Sequence, residues 1–437
     1  MRWTKSARRR SGSGLRILNE GLNGGPEVRV PLAWNCVTPL LMCMKTAMVI
    51  FEAAADRASP ALDDRTPLQM ARCSLATGAA VTGCGGLIVP ARADDDNRQE
   101  MRLAQYMGVP AAEARRIRRG PLEALGAGIP LEAGRWVFRA DFVTLDRTVL
   151  SEGAVPRLSM EETETLAATV RAHWDPAEVS LKAIKPGRVV AQCRMEKGAE
   201  PWSMSPFAAE GGDYRDVLAR NRGYAFVRDF LIRSYDALKN HSVNEVRVDL
   251  GENPANALWL WGGGPADGHV EAGRPKGAMA TQSGMARGLA ELLGMPVVDL
   301  VDPWSEVAGR RAPFRISGLL EALREHDHLT VYIEAPHGGG RYGTAVDKVW
   351  ALELLDHTVL GPILSLLEAH RPFRILLSTD GAVWTKNGRA IPDPVPFVVS
   401  GEGIEPDGVG HWDEQACAAG ALGRIRVDEL MDVLRKE

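Results

Sequence analysis

Apolar runs and amphipathic stretches alternate along the chain from about residue 45 onward. The apolar runs predict strands at 46–51, 85–90, 135–145, 179–184, 188–193, 257–261, 297–300, 329–335, 373–378 and 395–399. A helical period predicts helices at 159–173, 214–240, 279–293, 316–326 and 427–435, and one long helix or two at 345–370. The helix at 159–173 opens with a capping box of Ser159 and Glu162. This alternation predicts an α/β fold, in which a mostly parallel sheet carries helices on both faces.

A strand–helix–strand–strand packet interrupts the alternation between residues 135 and 193. It predicts a smaller α+β domain at 125–205, inserted into a core made of 44–124 and 206–437. Ligands of parallel sheets bind beyond the carboxyl ends of the strands. The loops after Phe51, Trp261, Ala335 and Thr379 are therefore the candidate sites.

The first 43 residues differ from this body in charge and pattern. Residues 1–45 contain eight Lys or Arg and two Glu, and residues 1–30 have no apolar period. We expect a disordered basic leader or a misassigned start, since Met44 directly precedes the first strand pattern. The apolar stretch at 30–44 is interrupted by prolines and is too short for a membrane span.

Composition limits the classes of partner and compartment. The 437 residues carry a net charge of −4, so no overall positive field would attract nucleic acid or an anionic membrane. The six cysteines lack metal-type spacing, which favours free thiols in a reduced compartment. We therefore expect a cytoplasmic protein that binds neither nucleic acid nor membrane.

An arginine-rich segment and a glycine-rich segment are candidates for anion binding. Arg115, Arg116, Arg118 and Arg119 carry guanidinium groups of the kind that fork onto phosphate or carboxylate, although a solvated helix face has the same composition. The three glycines at 262–264 follow an aromatic strand and would let the backbone approach an anion, or would simply form a turn.

Histidines and an aspartate near predicted strand ends are candidates for metal or acid–base chemistry. His337 lies in a glycine-rich loop, where a histidine acts as ligand or base but is more often just exposed. His326 and His328 resemble a metal pair in type, yet their place at a helix end favours solvent exposure. Asp380 ends a predicted strand and suits a metal ligand or a helix cap equally.

Three longer segments carry a family resemblance. They are RRGPLEALGAGIPLEAGRWVFRADFVTL, NPANALWLWGGG, and DKVWALELLDHTVLGPIL followed by PDPVPF. In this order they resemble the archaeal-type cofactor-independent phosphoglycerate mutases, which belong to the alkaline-phosphatase-like metalloenzymes. The resemblance runs from Lys45 to about Lys436. It implies an alkaline-phosphatase-like core, two divalent metals and a serine that carries the phosphoryl group between two hydroxyls of glycerate.

The positions that such enzymes use for chemistry have changed in this chain. The resemblance places Gln99 near the nucleophile, and no Ser or Thr occurs between residues 83 and 143. The positions that match metal ligands hold Glu52, His337, Arg341, Asp380, Gly381 and, approximately, Ala390. Of these only Asp380 is unchanged from the family pattern, and an arginine cannot become a metal ligand. A two-metal centre of the family type is therefore not expected.

The basic residues in the matching segments are better preserved. The resemblance implies that Arg119, Arg139, Lys185, Arg188 and Arg247 bind a phosphate or carboxylate, some of them in a cleft between lobes. The chain would then retain anion binding although it has lost catalysis.

Three functions remain open from the sequence. The first is a pseudoenzyme without cofactor that binds a small phosphorylated or carboxylated metabolite or a protein partner. The second is an enzyme with rebuilt chemistry, which holds one Mg²⁺ or Mn²⁺ through Glu52 and Asp380 or performs metal-free acid–base work with His337. The acidic residues Asp94, Asp95, Asp96 and Glu100 are further candidates for that rebuilt site. The third is a residual mutase that interconverts 3- and 2-phosphoglycerate. The sequence leaves the oligomeric state open.

Overall fold

The computed structural model describes residues 44–89, 98–196, 204–218, 224–268, 270, 275–301, 306–307, 310–311, 317–334 and 343–435. Asp94, Asp95, Asp96, His337 and Arg341 lie outside these ranges. The chain from Met42 to Glu437 forms one compact unit.

The strands are β1 (Lys45–Phe51), β2 (Gly83–Val89), β3 (Arg135–Asp146), β4 (Val149–Glu152), β5 (Val179–Lys185), β6 (Arg188–Arg194), β7 (Ala257–Pro265), β8 (Ala278–Thr281), β9 (Val297–Asp299), β10 (Glu306–Val307), β11 (Arg310–Arg311), β12 (His328–Ile333), β13 (Phe373–Thr379), β14 (Ala382–Trp384), β15 (Arg389–Ile391), β16 (Val395–Gly401) and β17 (Gly423–Arg426).

The helices are α1 (Pro67–Met70), α2 (Ser74–Val81), α3 (Gln99–Tyr106), α4 (Ala111–Ala114), α5 (Arg119–Gly126), α6 (Met160–Arg171), α7 (Pro206–Ala209), α8 (Tyr214–Leu218), α9 (Tyr224–Leu238), α10 (Ser242–Asp249), α11 (Gly284–Leu292), α12 (Ser317–Glu325), α13 (Ala345–Leu355), α14 (Gly361–Glu368), α15 (Glu414–Ala418) and α16 (Leu430–Arg435). A π-helical turn, Asp356–Leu360, joins α13 to α14.

The main sheet has eight strands in the order β17-β2-β16-β13-β1-β12-β8-β9. Only β16 runs against the others, because its pairings with β13 and β2 are antiparallel and the remaining pairings are parallel. The central strands β12 and β13 are buried along their whole length, as expected for strands covered on both faces. The α/β fold with a mostly parallel sheet is therefore confirmed.

A second, antiparallel sheet has the order β4-β3-β6-β5, with β7 also paired to β3. It has its own apolar cluster, in which Phe138, Phe142, Phe230 and Trp259 are almost fully buried. Because β7 belongs to this sheet, the sheet extends beyond the 125–205 expected for an inserted domain. That this region is a separate domain stays a prediction.

Several predicted elements differ in their boundaries. The helix expected at 279–293 is instead strand β8 followed by α11, because its first residues are a buried apolar run that pairs with β12 and β9. The helix expected at 214–240 is described as α8 and α9, and residues 219–223 lie outside the described part of the chain. The capping box of Ser159 and Glu162 forms as predicted at the start of α6.

One helical stretch, Ala345–Glu368, is long and apolar enough to cross a membrane by length and composition alone. It comprises α13, the π-helical turn and α14. Leu352, Leu355, Val359 and Ile363 in this stretch are buried in the apolar core of the main sheet. Packing within the protein therefore accounts for its apolar character.

His328 is buried at the start of β12, which corrects the expectation that it is exposed to solvent. Its two ring nitrogens contact the hydroxyls of Thr46 and Thr330 at 2.9 and 3.0 Å. Burial, with a smaller contribution from the charge of Arg435, lowers the pKa of His328 to about 4. The imidazole is therefore neutral in the folded protein at neutral pH.

This histidine predicts a loss of stability in mild acid. The unfolded chain takes up a proton near pH 6.5 and the folded chain only near pH 4, so stability falls as pH drops between these values. The full loss is about 3 kcal/mol. Urea unfolding should show that the free energy of unfolding of the wild type is lower at pH 4.5 than at pH 7.5. The difference between the two pH values, which we call the slope, should be smaller in His328→Gln. The exposed His411 supplies the control, because His411→Gln should keep the wild-type slope. Equal slopes in wild type and His328→Gln would contradict the assignment.

Candidate functional site

Acidic side chains gather at the carboxyl end of the main sheet. Glu52 follows β1, Glu334 follows β12 and Asp380 follows β13, and these three strands are neighbours in the sheet. All three carboxylates are buried. The loops after Phe51 and Thr379, two of the four candidate loops, therefore lie side by side.

The loop after β1 is held rigidly against the end of β13. The backbone N–H of Ala53 donates to Asp380 Oδ1 at 2.8 Å, and that of Ala54 donates to Thr379 Oγ1 at 2.8 Å. Ala53 adopts a left-handed conformation with φ 50°, a region that favours glycine. The fully buried Lys348 donates to the carbonyl of Ala55 at 2.9 Å and so fixes the far end of the loop. Glu52 is therefore a fixed member of the site.

The carboxamide of Gln99 lies between the two carboxylates of this loop region. Its Nε2 atom is 2.6 Å from Glu52 Oε1, 2.9 Å from Asp380 Oδ2 and 2.7 Å from the hydroxyl of Tyr332. Its Oε1 atom accepts a hydrogen bond of 2.8 Å from Nη1 of Arg119. The Tyr332 hydroxyl donates to Asp380 Oδ2 at 2.9 Å. Every polar end of the carboxamide is thus engaged.

Electrostatics fix the orientation of this carboxamide. Two carboxylates about 5 Å apart repel each other by about 3 kcal/mol at an effective dielectric constant of ~20. The N–H₂ end of Gln99, which only donates, lies between Glu52 and Asp380 and offsets that repulsion. Turning the amide over would place its N–H₂ group against the guanidinium of Arg119, donor against donor. Gln99 therefore has one stable orientation.

A second network, which we call the arginine cluster, continues from Arg119 into the second sheet. Arg119 Nε and Arg139 Nη1 both contact Glu123 Oε1, at 2.9 and 3.1 Å. Arg139 also binds Asp141 with two contacts of 2.9 Å, a bidentate pair. The four side chains are at least nine-tenths buried. Each guanidinium here already has a carboxylate partner.

The charges of the arginine cluster determine the ionisation of Glu123. Burial alone would raise the pKa of Glu123, but the positive charges of Arg188, Arg139 and Arg119 outweigh burial and lower the pKa to about 2. The same carboxylate, with other acids nearby, raises the pKa of Arg119 although burial opposes the charged form. Glu123 is therefore ionised at every physiological pH.

Arg188 and Lys185 lie at the end of the cluster that reaches the main sheet. Arg188 contacts Glu334, Glu123 and Asp141 at 3.4, 3.6 and 4.0 Å. Lys185 lies at the turn between β5 and β6, donates to the carbonyl of Gln282 at 3.2 Å and approaches Glu334 at 3.7 Å. The Lys185 side chain is 38% exposed, which makes it the most accessible cation of the group.

Aromatic and glycine residues of β7 pack against the same arginines. The ring of Trp261 lies 4.8 Å from the guanidinium of Arg139 and 5.7 Å from that of Arg119, within cation–π range. A Cβ on Gly262, whose φ is +61°, would lie 2.6 Å from the Cβ of Arg119. The three glycines continue β7 and do not form the loop or turn expected from the sequence. Gly262 and Gly264 let α5 approach closely, whereas a Cβ on Gly263 would meet the ring of Phe138.

The structure brings together only some of the residues predicted from the sequence. Glu52, Gln99, Asp380, Arg119, Arg139, Arg188 and Lys185 form one continuous chain of contacts. Arg247 does not join them, since it donates to the carbonyls of Asn253 and Pro156 at 2.9 Å. Arg115 and Arg116 are exposed, and Ala390 is an exposed residue of β15 that has no ligand atom in its side chain.

Sequence reasoning missed the residues that complete these networks. Tyr332, Glu123, Asp141 and Glu334 were not expected to be site residues, and neither was Arg102. The only signal was their position: Tyr332 and Glu334 end an apolar run, and Asp141 interrupts a strand two residues after Arg139. An acidic residue in an otherwise apolar run predicts a buried ion pair.

The donor set does not fit the two metals that the resemblance implies. Glu52 and Asp380 are two carboxylates, and the atom between them is a donating amide nitrogen. Hard cations such as Mg²⁺ and Mn²⁺ take oxygen ligands. Within the part of the chain that the structure describes, no group of three or more His, Cys, Asp or Glu side chains is arranged to hold a metal ion. Gly381, next to Asp380, contributes no side-chain ligand.

Comparisons with known proteins agree on one family. A family model described as 2,3-bisphosphoglycerate-independent phosphoglycerate mutase matches residues 115–244. The mutase of that name from Methanothrix thermoacetophila is 29% identical over 398 residues, which cover 90% of this chain and 99% of the relative.

Solved structures share the fold. A protein from Pyrococcus horikoshii superposes with a TM-score of 0.65 at 20% identity, over 90% of this chain and 97% of its own. The cofactor-independent phosphoglycerate mutase from Thermoplasma acidophilum superposes with a TM-score of 0.50 at 24% identity, over 90% of this chain and 98% of its own.

Replacing Glu123 should destabilise the protein strongly. Glu123→Gln keeps the shape of the side chain but leaves Arg119, Arg139 and Arg188 short of one buried counter-charge, which costs about 3–5 kcal/mol. Urea unfolding at pH 7 measures the loss. Because the pKa of Glu123 is lowered from 4.5 to about 2, the carboxylate stabilises fully above pH 4.5 and less as pH falls toward 2. Glu368→Gln, at an exposed carboxylate, is the control and should change stability little. A loss no larger than that of the control would contradict the charge network.

Proposed function

We propose, from the premise that this chain belongs to the family of cofactor-independent phosphoglycerate mutases, that it binds a small phosphorylated or carboxylated acid without transferring a phosphoryl group.

The environment of Gln99 is the observation that carries this proposal. A residue that accepts a phosphoryl group needs an accessible nucleophilic atom and a way to lose its proton. Gln99 has a carboxamide, which is not a nucleophile, and both of its polar ends are engaged by Glu52, Asp380 and Arg119. No Ser or Thr occurs between residues 83 and 143 to replace it.

Tyr332 is the nearest hydroxyl to Gln99 among its hydrogen-bond partners, and it is a poor substitute nucleophile. It is fully buried and donates its proton to Asp380. Burial and the negative charges of Asp380 and Glu52 raise the pKa of Tyr332 well above the usual value, because they disfavour the phenolate. Its hydroxyl therefore keeps its proton and stabilises Asp380.

The accessible cation Lys185 supports the binding of an anion. Lys185 and Arg188 contact Glu334 at 3.7 and 3.4 Å, longer than the 2.7–2.9 Å of a strong charge-assisted hydrogen bond. An incoming carboxylate or phosphate would make shorter contacts to Lys185 without moving the tightly paired Arg119 and Arg139. The ligand site we propose is therefore the Lys185–Arg188 end of the arginine cluster.

The alternative is that turnover persists. Relatives that match over 90% of the chain carry the name of a phosphoglycerate mutase, and Glu52 and Asp380 are two adjacent buried carboxylates. A residual mutase, or an enzyme that holds one Mg²⁺ or Mn²⁺ at these two residues, would use them. A protein partner remains the other ligand class expected of a non-catalytic relative.

A direct assay separates these functions. Purified chain, supplied in turn with Mn²⁺, Mg²⁺ and Zn²⁺, should form no 2-phosphoglycerate from 3-phosphoglycerate beyond the protein-free blank, as followed by phosphorus NMR. The Thermoplasma acidophilum mutase serves as the positive control under the same conditions. Metal-dependent turnover by this chain would overturn the proposal in favour of a residual mutase.

Binding should depend on Lys185. Calorimetric titration with 3-phosphoglycerate should show an affinity about tenfold to hundredfold weaker for Lys185→Met than for wild type, since one charge-assisted contact is worth about 1.5–3 kcal/mol. Lys182→Met is the matched control, because Lys182 is an exposed lysine of the same strand that pairs with Val190, away from Arg188 and Glu334, and it should keep wild-type affinity. If both variants bind like the wild type, or the wild type binds no phosphorylated acid, this ligand site is wrong.

A further inference from the structure

We infer that two side chains of α3, Gln99 and Arg102, take the places of the divalent metal ions that the family resemblance implies, so that the site is complete without a cation. The inference rests on the proposed function for one point, the identification of Glu52 and Asp380 as former metal-ligand positions. It adds what now holds these carboxylates together.

Gln99 supplies the first substitute. One nitrogen, Nε2, lies within 2.9 Å of both Glu52 Oε1 and Asp380 Oδ2, which is where a cation bridging two carboxylates would lie. The positive end of the amide dipole faces both anions. The other end of the carboxamide accepts a hydrogen bond from Arg119. Exchanging the nitrogen and the oxygen would lose this hydrogen bond and place two donors against each other.

Arg102 supplies the second substitute. A Cβ built on Gly381 would lie 2.5 Å from Nη2 and 2.8 Å from Cζ of Arg102. The guanidinium therefore fills the space that a larger side chain at position 381, such as a histidine ligand, would need. Arg102 and Asp380 also line the same small cavity beside α3. The arginine at position 102 therefore requires a glycine at position 381.

Helix geometry explains why one element provides both groups. Gln99 and Arg102 are three residues apart on α3, so their side chains leave the same face of the helix. That face meets the carboxyl ends of β1 and β13 through Gln99, and Gly381 through Arg102. A single helix docked on the sheet therefore delivers one neutral donor and one positive charge to the acidic strand ends.

A tethered donor differs from a metal ion in a way that can be measured. The wild type should need no divalent cation for stability, because the space between Glu52 and Asp380 is filled by a covalently attached group. Gln99→Glu places a third carboxylate in the same volume. Three carboxylates form a set of oxygen ligands that suits Mn²⁺, so this variant should gain a cation site.

The experiment compares wild type, Gln99→Glu and Gln192→Glu after removal of metals with EDTA. Gln192 is a buried glutamine of β6, and its variant controls for an added buried carboxylate away from the site. With manganese about 100-fold above its Kd, the melting temperature should rise by about 3 °C in Gln99→Glu alone. Elemental analysis should find one manganese per chain in Gln99→Glu and no stoichiometric manganese in wild type or control.

The outcomes are distinct from those of the mutase assay. Stoichiometric manganese on the wild type, with a rise in melting temperature, overturns this inference even if no turnover occurs. A folded Gln99→Glu that takes up no manganese also overturns it. If Gln99→Glu folds only with manganese present, that dependence supports the inference. Gln99→Ala then gives a second test, because it removes the donor without adding charge. We expect Gln99→Ala to bind manganese more tightly than wild type. Turnover by a metal-free wild type would overturn the proposed function and leave this inference standing.

Discussion

The need to neutralise charges that are buried away from water is the constraint on which the rest of the structure depends. Glu52, Asp380, Glu123, Asp141 and Glu334 are all at least nine-tenths buried where the main sheet meets the second sheet. An uncompensated buried charge costs several kcal/mol, comparable to much of the net stability of a domain. Each carboxylate is therefore met by a donor within contact distance. The contacts run without a break from Asp380 on one sheet to Asp141 on the other.

This requirement determines which elements can lie beside the sheet ends. Helix α3 has to bring a donor to Glu52 and Asp380, and helix α5 has to bring Arg119 to both Gln99 and Glu123. Close packing of α5 in turn requires glycine at position 262, where a Cβ would collide with the Cβ of Arg119. The polar network and the glycines of β7 are therefore parts of one packing solution.

The order of strands and helices could be predicted from the sequence because apolar periodicity records burial residue by residue. The runs at β1, β12 and β13 were located within two residues, since central parallel strands are apolar throughout. Short elements with mixed composition were not located as well. Strand β8 was mistaken for the first turn of a helix, because a run of four residues, three of them apolar, fits either period.

The candidate site was predictable only in part, for a related reason. Asp380 was found because it ends an apolar strand, and Glu52 because the family resemblance pointed to the residue after β1. The partners of the arginines were not found. Whether Arg119 faces a ligand or Glu123 depends on side-chain packing across two sheets, which no local pattern records. The histidine at 328 shows the same limit, because its burial follows from the pairing of β12 with β1 and not from its neighbours in sequence.

The separation between tight and loose ion pairs links this packing to function. Contacts of 2.9–3.1 Å hold Arg119 and Arg139 to Glu123 and Asp141. Breaking these contacts would leave buried charges without a partner of opposite charge. A ligand that had to displace these carboxylates would bind weakly, because the loss of the buried ion pairs would offset its own contacts. A ligand that approaches the half-exposed Lys185 does not, because the ammonium can exchange a 3.7 Å contact for a shorter one while the core of the network stays intact. The same network that engages both ends of the Gln99 carboxamide thus leaves Lys185, at the far end of the cluster, accessible.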